Sequence, residues 1–262
     1  MRRCKMNIKN IEKYKTGIEA LDDALNGGIP KKHTILITGT AGTMKSSIAF
    51  QIAYANVLKD KTAMYITFEQ DAVSILRQME LMNFDLGKIR KNSNDKEVNK
   101  QFSSKGKGKG MFTILDIGLF RSPKKSNKVS NWMNEMKTLV KQYSRSGMAD
   151  IVILDSLTAL FHLGKVKDER EELFQLFKWL KGLNTTSLII NEMQQGTLSY
   201  SNYGIESYLV DGVILLSFKE REFQTFRQLK IIKMRYIEHE TNPFILKFDS
   251  QSGKFKLQKD EG

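Results

Sequence analysis

Residues 34–38 (TILIT) form a short apolar, β-rich run that passes directly into the glycine-containing turn GTAGTMKSS, and good helix formers follow over residues 46–58. A buried strand that turns tightly into a helix is the first half of a βαβ unit, so this stretch narrows the fold more than any other. Residues 63–68 (AMYITF) predict a second strand. Residues 71–82 predict the next helix, with Val73, Leu76 and Met79 at helical spacing. Strands at 112–116 (FTILD), 151–155 (IVILD) and 187–191 continue the alternation, with helices at about 131–145 and at 169–181. In the latter helix Leu173, Leu176, Phe177 and Leu180 stand at i, i+3, i+4 and i+7. The character then changes. Residues 212–218 and 225–235, joined by the polar turn KEREF, and residues 243–248 predict strands that pair as hairpins at one sheet edge. The expected fold class is α/β: a mostly parallel sheet flanked by helices, with an antiparallel C-terminal extension, in one domain over residues 1–262.

Composition enters as a filter. With 40% hydrophobic and 27% charged residues the chain can bury a core and is too apolar for a disordered one. Cys4 is the one cysteine, which excludes an intramolecular disulfide and cysteine-based zinc clusters and suits a reducing cytoplasm. No segment approaches 18 uninterrupted apolar residues, and the basic N-terminus lacks the apolar stretch of a secretory signal, so neither membrane spanning nor secretion is expected. The net charge of +13 is local: residues 88–128 hold twelve Lys or Arg against three acids. Within them, residues 88–110 are nearly devoid of apolar side chains and end in alternating Lys and Gly, so they are expected to form a mobile basic insertion. A second basic loop, RSPKKSNK, follows.

Backbone N–H groups at a strand-to-helix turn, with the helix dipole behind them, favour phosphate. Gly39, Thr40, Ala41, Gly42, Thr43, Met44, Lys45, Ser46 and Ser47 approximate the phosphate-cradling pattern GxxxxGK[ST]. In that pattern the lysine reaches the β and γ phosphates and the next hydroxyl coordinates Mg²⁺, roles that fall to Lys45 and Ser46. Met44 stands where glycine would let the backbone approach the phosphates, and Gly42 with the small Ala41 is expected to supply flexibility instead. An ordinary glycine-rich turn is the plainer alternative. Asp155 ends IVILD after four apolar residues, the form expected of a carboxylate that holds Mg²⁺ through water; read alone, it is also a strand-terminating Asp before a Ser turn. Glu69 follows AMYITF at the strand end that faces the ligand crevice of α/β sheets, where a carboxylate can orient and deprotonate a water attacking the γ phosphate. Its plainer alternative is an acid complementing the dipole of the helix at 71–82.

Taken in order, TGIEALDDALNGGIP, GTAGTMKSS, YITFEQ, LDSLTAL, EREELFQLFKWLK, DGVILL and LKIIKMR resemble KaiC-like RecA-superfamily P-loop ATPases along nearly the whole chain. The resemblance implies a RecA-like P-loop NTPase core, ATP and Mg²⁺ as ligands, ATP hydrolysis, and a hexameric or filament-like homo-oligomer with ATP between subunits. It also implies that the KMR element touches a neighbour's nucleotide, which makes Lys233 and Arg235 candidate catalytic cations. Residues two apart on a strand share a face about 7 Å apart, so both can reach one triphosphate; a basic edge strand protected from aggregation is the alternative. In that family two adjacent acids usually close the second strand, whereas here the pair is Glu69 and Gln70. His239 falls where the family often has a histidine. Some members phosphorylate themselves near the position of Ser207 and Tyr208, but a Ser beside a Tyr is common and autophosphorylation is not the expected reaction.

The expected function is therefore an oligomeric regulatory ATPase. Two alternatives stay open: a nucleotide-gated switch with little turnover, suggested by Met44 and Gln70, and a recombinase-like accessory protein binding single-stranded DNA, suggested by the basic insertion. That insertion has few aromatic residues for base stacking.

Overall fold

The central strands are buried almost throughout, and successive residues face two different apolar clusters in turn, which sets the layering. In the computed structural model, which describes residues 11–88, 101–105, 110–117, 134, 136–138, 140, 149–164, 168–194 and 203–260, the elements in chain order begin with β1 (Lys13–Tyr14), α1 (Glu19–Ala24), β2 (Ile29–Pro30), β3 (Thr34–Gly39), α2 (Lys45–Val57), β4 (Thr62–Thr67) and α3 (Ala72–Leu81). Next come β5 (Gln101–Lys105), β6 (Met111–Asp116), β7 (Ile151–Asp155), α4 (Leu157–Gly164), α5 (Glu169–Gly182), β8 (Thr186–Glu192) and α6 (Glu206–Leu209). The chain closes with β9 (Gly212–Arg221), β10 (Gln224–Met234), β11 (Phe244–Asp249) and β12 (Lys254–Lys259). Ile35 and Ile37 of β3 join one apolar cluster and Leu36 between them joins another; Ile151 and Ile153 separate from Val152 and Leu154 in the same way. Strands with both faces apolar need a helical layer on each side. Leu21, Phe50 and Leu76 bring α1, α2 and α3 to the first face, and Leu160, Leu173 and Leu176 bring α4 and α5 to the second.

The main sheet runs β12-β11-β10-β9-β3-β8-β7-β4-β6-β5. From β9 to β6 neighbouring strands are parallel, while β10 to β12 extend one edge antiparallel and β5 pairs antiparallel with β6 at the other. Every parallel strand therefore ends on the same side, and Gly39, Thr67, Asp155 and Glu192 all lie there. Capping fixes where two helices begin: Asp71 accepts the Ser74 N–H at 2.9 Å and Asp168 accepts the Glu171 N–H at 3.0 Å. Each such cap stabilises its helix by about 1 kcal/mol. Among the described residues no helix is long and apolar enough to cross a membrane.

Three details differ from the sequence reading. The segment expected as a loop over 88–110 contains β5, because pairing with β6 satisfies the backbone of Gln101–Lys105 without demanding apolar side chains. Residues 89–100 and 106–109, which include the basic Lys96, Lys100, Lys107 and Lys109, lie outside the described residues, as does the second basic loop. The KEREF turn shrinks to Glu222 and Phe223 because β9 and β10 pair through the rest of it. Finally, β12 went unpredicted although it alternates, with Phe255 and Leu257 buried and Lys254 and Lys256 exposed; its lysines charge the outer edge of the sheet. Of the helix expected at about 131–145, helical backbone is described at residues 134, 136–138 and 140.

Candidate active site

The turn between β3 and α2 is shaped by contacts that tolerate few side chains. A Cβ on Gly39 would meet the Leu216 carbonyl oxygen of β9 at 2.1 Å, so only glycine fits where the two backbones converge. Thr40 offers its carbonyl oxygen inward, where it accepts both Thr43 Oγ1 and Lys45 Nζ at 2.8 Å. Ala41 and Gly42 are exposed at the rim. From β10, Arg227 Nε donates to the Gly42 carbonyl at 3.0 Å, and its guanidinium lies 5.5 Å from the Phe218 ring centre, so the β9–β10 hairpin braces the turn.

Met44 sits at φ 72°, ψ 28°, the left-handed conformation, immediately before α2. The backbone here needs the geometry glycine adopts freely, and Met44 adopts it at a cost of about 1–2 kcal/mol. Its half-buried side chain packs on the first apolar cluster. The flexibility expected of Gly42 and Ala41 thus does not replace the missing glycine; Met44 itself takes up the left-handed geometry.

A cleft of about 270 Å³ opens beside the turn, lined by Lys45, Ser46, Ser47, Glu69, Asp155 and Glu192 among others. Lys45 is buried, with Nζ 3.7 Å from Glu192 Oε1. Burial lowers its pKa from the ordinary lysine value, and the charges of Glu192, Asp155 and Glu69 oppose that shift. Asp155, at the end of β7, has its pKa raised by burial; hydrogen bonds from Tyr65 and Ser46 and the charge of Lys45 oppose the rise. Glu69, just past β4, accepts the Ser156 hydroxyl. Ser47 Oγ donates to Met82 Sδ at 3.4 Å, tying α2 to the residue that follows α3. The structure thus gathers Lys45, Ser46, Glu69 and Asp155 around one cleft, with the main-chain turn as its floor.

Lys233 and Arg235 are elsewhere. Lys233 Nζ donates to the Ser207 carbonyl at 2.7 Å; Arg235 reaches Asp211 Oδ1 at 3.3 Å and the Tyr208 carbonyl at 3.2 Å. Asp211 in turn accepts the Thr34 N–H at 3.0 Å, which marks the beginning of β3. The whole of that strand, roughly 17 Å, separates the pair's anchor from the turn at Gly39. Arg235 lies just beyond the end of β10, and the strand carries a bulge between Ile231 and Lys233.

Sequence reasoning missed Glu192, Tyr65 and Ser156. Glu192 met the criterion that singled out Glu69 and Asp155, an acid at the end of a central strand, but the expected strand stopped one residue short of it. Register sets it directly beside Gly39. Tyr65 carried no signal, because a tyrosine inside an apolar strand reads as core.

A phosphate-type turn between the first parallel strand and a helix, with strand-end acids facing it, defines a RecA-type P-loop nucleotide-binding fold. The family profile described as ATPase: KaiC matches residues 14–253, and the chain belongs to that family. It is 28% identical over 235 residues to a UPF0273 protein of Thermotoga maritima, covering 87% of this chain and 89% of the relative. It is also 28% identical over 239 residues to the circadian clock oscillator protein KaiC of Prochlorococcus marinus, covering 89% of this chain but 43% of that protein. A crystal structure of a KaiC-like protein from Pyrococcus horikoshii superimposes with a TM-score of 0.72 at 23% identity, covering 95% of this chain and all of that one.

Proposed function

We propose that the protein is a regulatory ATPase of the cytoplasm that binds ATP with Mg²⁺, hydrolyses it, and works as a homo-oligomer, with the chain acting as one ATPase domain. The observation that carries this reading is the convergence of Lys45, Ser46, Asp155 and Glu69 on one cleft, drawn from three separate strand ends. Main-chain N–H groups of the turn and the start of α2 cradle the phosphates, and Lys45 neutralises the β and γ oxygens. The Ser46 hydroxyl and the Asp155 carboxylate are a hard-oxygen donor pair of the kind Mg²⁺ prefers, and they already lie within hydrogen-bonding reach of one another. Mg²⁺ held there with ATP would supply charge neutralisation to the β and γ phosphates. Glu69, held by Ser156, orients a water and takes its proton as the water attacks the γ phosphate.

Lys233 and Arg235 act in trans on an adjacent subunit's γ phosphate. Their anchoring at the far end of β3 removes them from their own cleft and supports the intersubunit reading. A purified-protein ATPase assay combined with sizing, with and without ATP, tests the proposal. Mg²⁺-dependent phosphate release by an assembled species is the expected result, and a monomer that neither binds nor hydrolyses ATP would refute it. A nucleotide-gated switch is the second reading, favoured by the strained Met44 at the phosphate turn. It predicts ATP binding and assembly without turnover.

A further inference from the structure

The Tyr65 side chain is 1% exposed, within the apolar cluster between α2 and the sheet. A phenylalanine would fill nearly the same volume there without bringing a polar atom into an apolar layer, where an unpartnered hydroxyl is costly. The hydroxyl has a partner: it donates to Asp155 Oδ2 across the β4–β7 pairing. The Ser46 hydroxyl lies within hydrogen-bonding reach of both Tyr65 and Asp155. Three oxygens from α2, β4 and β7 thus form one small network, and its deepest member is rigidly packed. A carboxylate at a strand end has two free side-chain torsions, and a fixed donor on one oxygen restricts both.

We propose that Tyr65 is a positioning residue of the metal–nucleotide site: its buried hydroxyl holds the Asp155 carboxylate turned toward Ser46. The inference rests on the Mg²⁺–ATP reading of the cleft and adds a residue to it that neither touches nucleotide nor would be found from motif spacing. Partners that orient a metal-holding group from behind typically contribute 10- to 100-fold in metal affinity. The effect of removing this hydroxyl should therefore appear in metal dependence and leave nucleotide contacts alone.

The test is the binding of a fluorescent, non-hydrolysable ATP analogue, measured in EDTA and across a Mg²⁺ titration, for wild type, Tyr65→Phe, Asp155→Ala and the double variant. Tyr65→Phe should raise the Mg²⁺ concentration for half-maximal enhancement of binding by about 10-fold, with EDTA affinity and thermal midpoint close to wild type. In the Asp155→Ala background the same change should add less than about two-fold, since the two residues act as one unit. Unchanged Mg²⁺ dependence in Tyr65→Phe would overturn the role. So would an equal loss of affinity in EDTA, which marks a general packing defect, or a full effect without Asp155. A wild-type protein that binds the analogue with no Mg²⁺ dependence overturns the metal-site reading itself, and the role of Tyr65 with it.

Discussion

The two ends of strand β3 are chemically opposite. At its carboxyl end, Lys45 faces three carboxylates, Glu69, Asp155 and Glu192, across the cleft. At its amino end the balance reverses: Asp211 accepts the Thr34 N–H while Arg235 and Lys181 lie 3.3 Å and 4.0 Å from its carboxylate, with Lys233 nearby. A cleft with one lysine among the described lining residues is poorly suited, unaided, to a group whose transferred phosphoryl develops charge on three oxygens. Lys233 and Arg235 hold positive charge at the other end of the same sheet, a strand length away. On the proposed intersubunit reading, the two ends are complementary half-sites that a second copy would bring together.

The largest expected effect breaks that complementarity. Glu69→Gln should lose its base but keep its cations, and Lys233→Ala with Arg235→Ala should keep its base but deprive the neighbouring site; each homo-oligomer should turn over about 10³-fold more slowly. Mixing the two after subunit exchange should restore partial ATPase activity, because some interfaces then combine an intact Glu69 with intact cations. If both variants assemble and exchange but no mixing ratio restores phosphate release, the intersubunit site is wrong.

Next in size, Lys45→Ala should weaken ATP binding about 100-fold or more, the loss of a charge-assisted contact to two phosphates, with the thermal midpoint preserved. Undiminished affinity by titration calorimetry would remove the turn from the phosphate site. A smaller effect separates strain from packing at Met44. Met44→Gly relieves about 1–2 kcal/mol of left-handed strain and gives up about 1 kcal/mol of side-chain burial, so its stability should match or exceed wild type. Met44→Ala keeps the strain, loses the packing, and should be about 1 kcal/mol less stable. Denaturant midpoints in the reverse order would show that the methionine is held for its contacts.

Glu192→Gln should tighten nucleotide binding several-fold, since it removes an acid 3.7 Å from Lys45 that competes with phosphate for the same cation; weaker binding would give Glu192 a direct part in holding the ligand. The smallest effect belongs to the antiparallel flank. Hydrogen bonds from Ser252 and Lys256 hold the Asp249 carboxyl down at about 2. Its contribution to stability is complete above the ordinary carboxylate value and is lost as pH falls through about 2. Asp249→Asn should flatten the acid end of the stability profile and leave nucleotide binding at neutral pH untouched.

Legibility differed between these regions for a physical reason. Ile151–Asp155 was read with its exact ends because a run of four apolar residues closed by an acid is a strong local signal. The helix α5 was read from its i, i+3, i+4, i+7 stripe, which ended up facing the second apolar cluster. By contrast β12 sits in a polar, lysine-rich tail, and β5 in a segment whose composition argued for a loop. Their strand character comes from antiparallel pairing with the neighbouring β11 and β6, which satisfies their backbones and which side-chain composition does not record.

The sequence by itself determined the alternation of strands and helices, the phosphate-type turn at Gly39–Ser47 and the family. Each of these is written in residues close together in the chain, where hydrophobic period, turn chemistry and spacing act directly. Only the tertiary structure decided that Glu192 stands beside Gly39, that the Tyr65 hydroxyl reaches Asp155, and that Lys233 and Arg235 lie a strand length away from Lys45. Those relations join residues separated by roughly 90 to 190 positions. They follow from the order in which parallel strands stack, which side-chain periodicity alone does not specify.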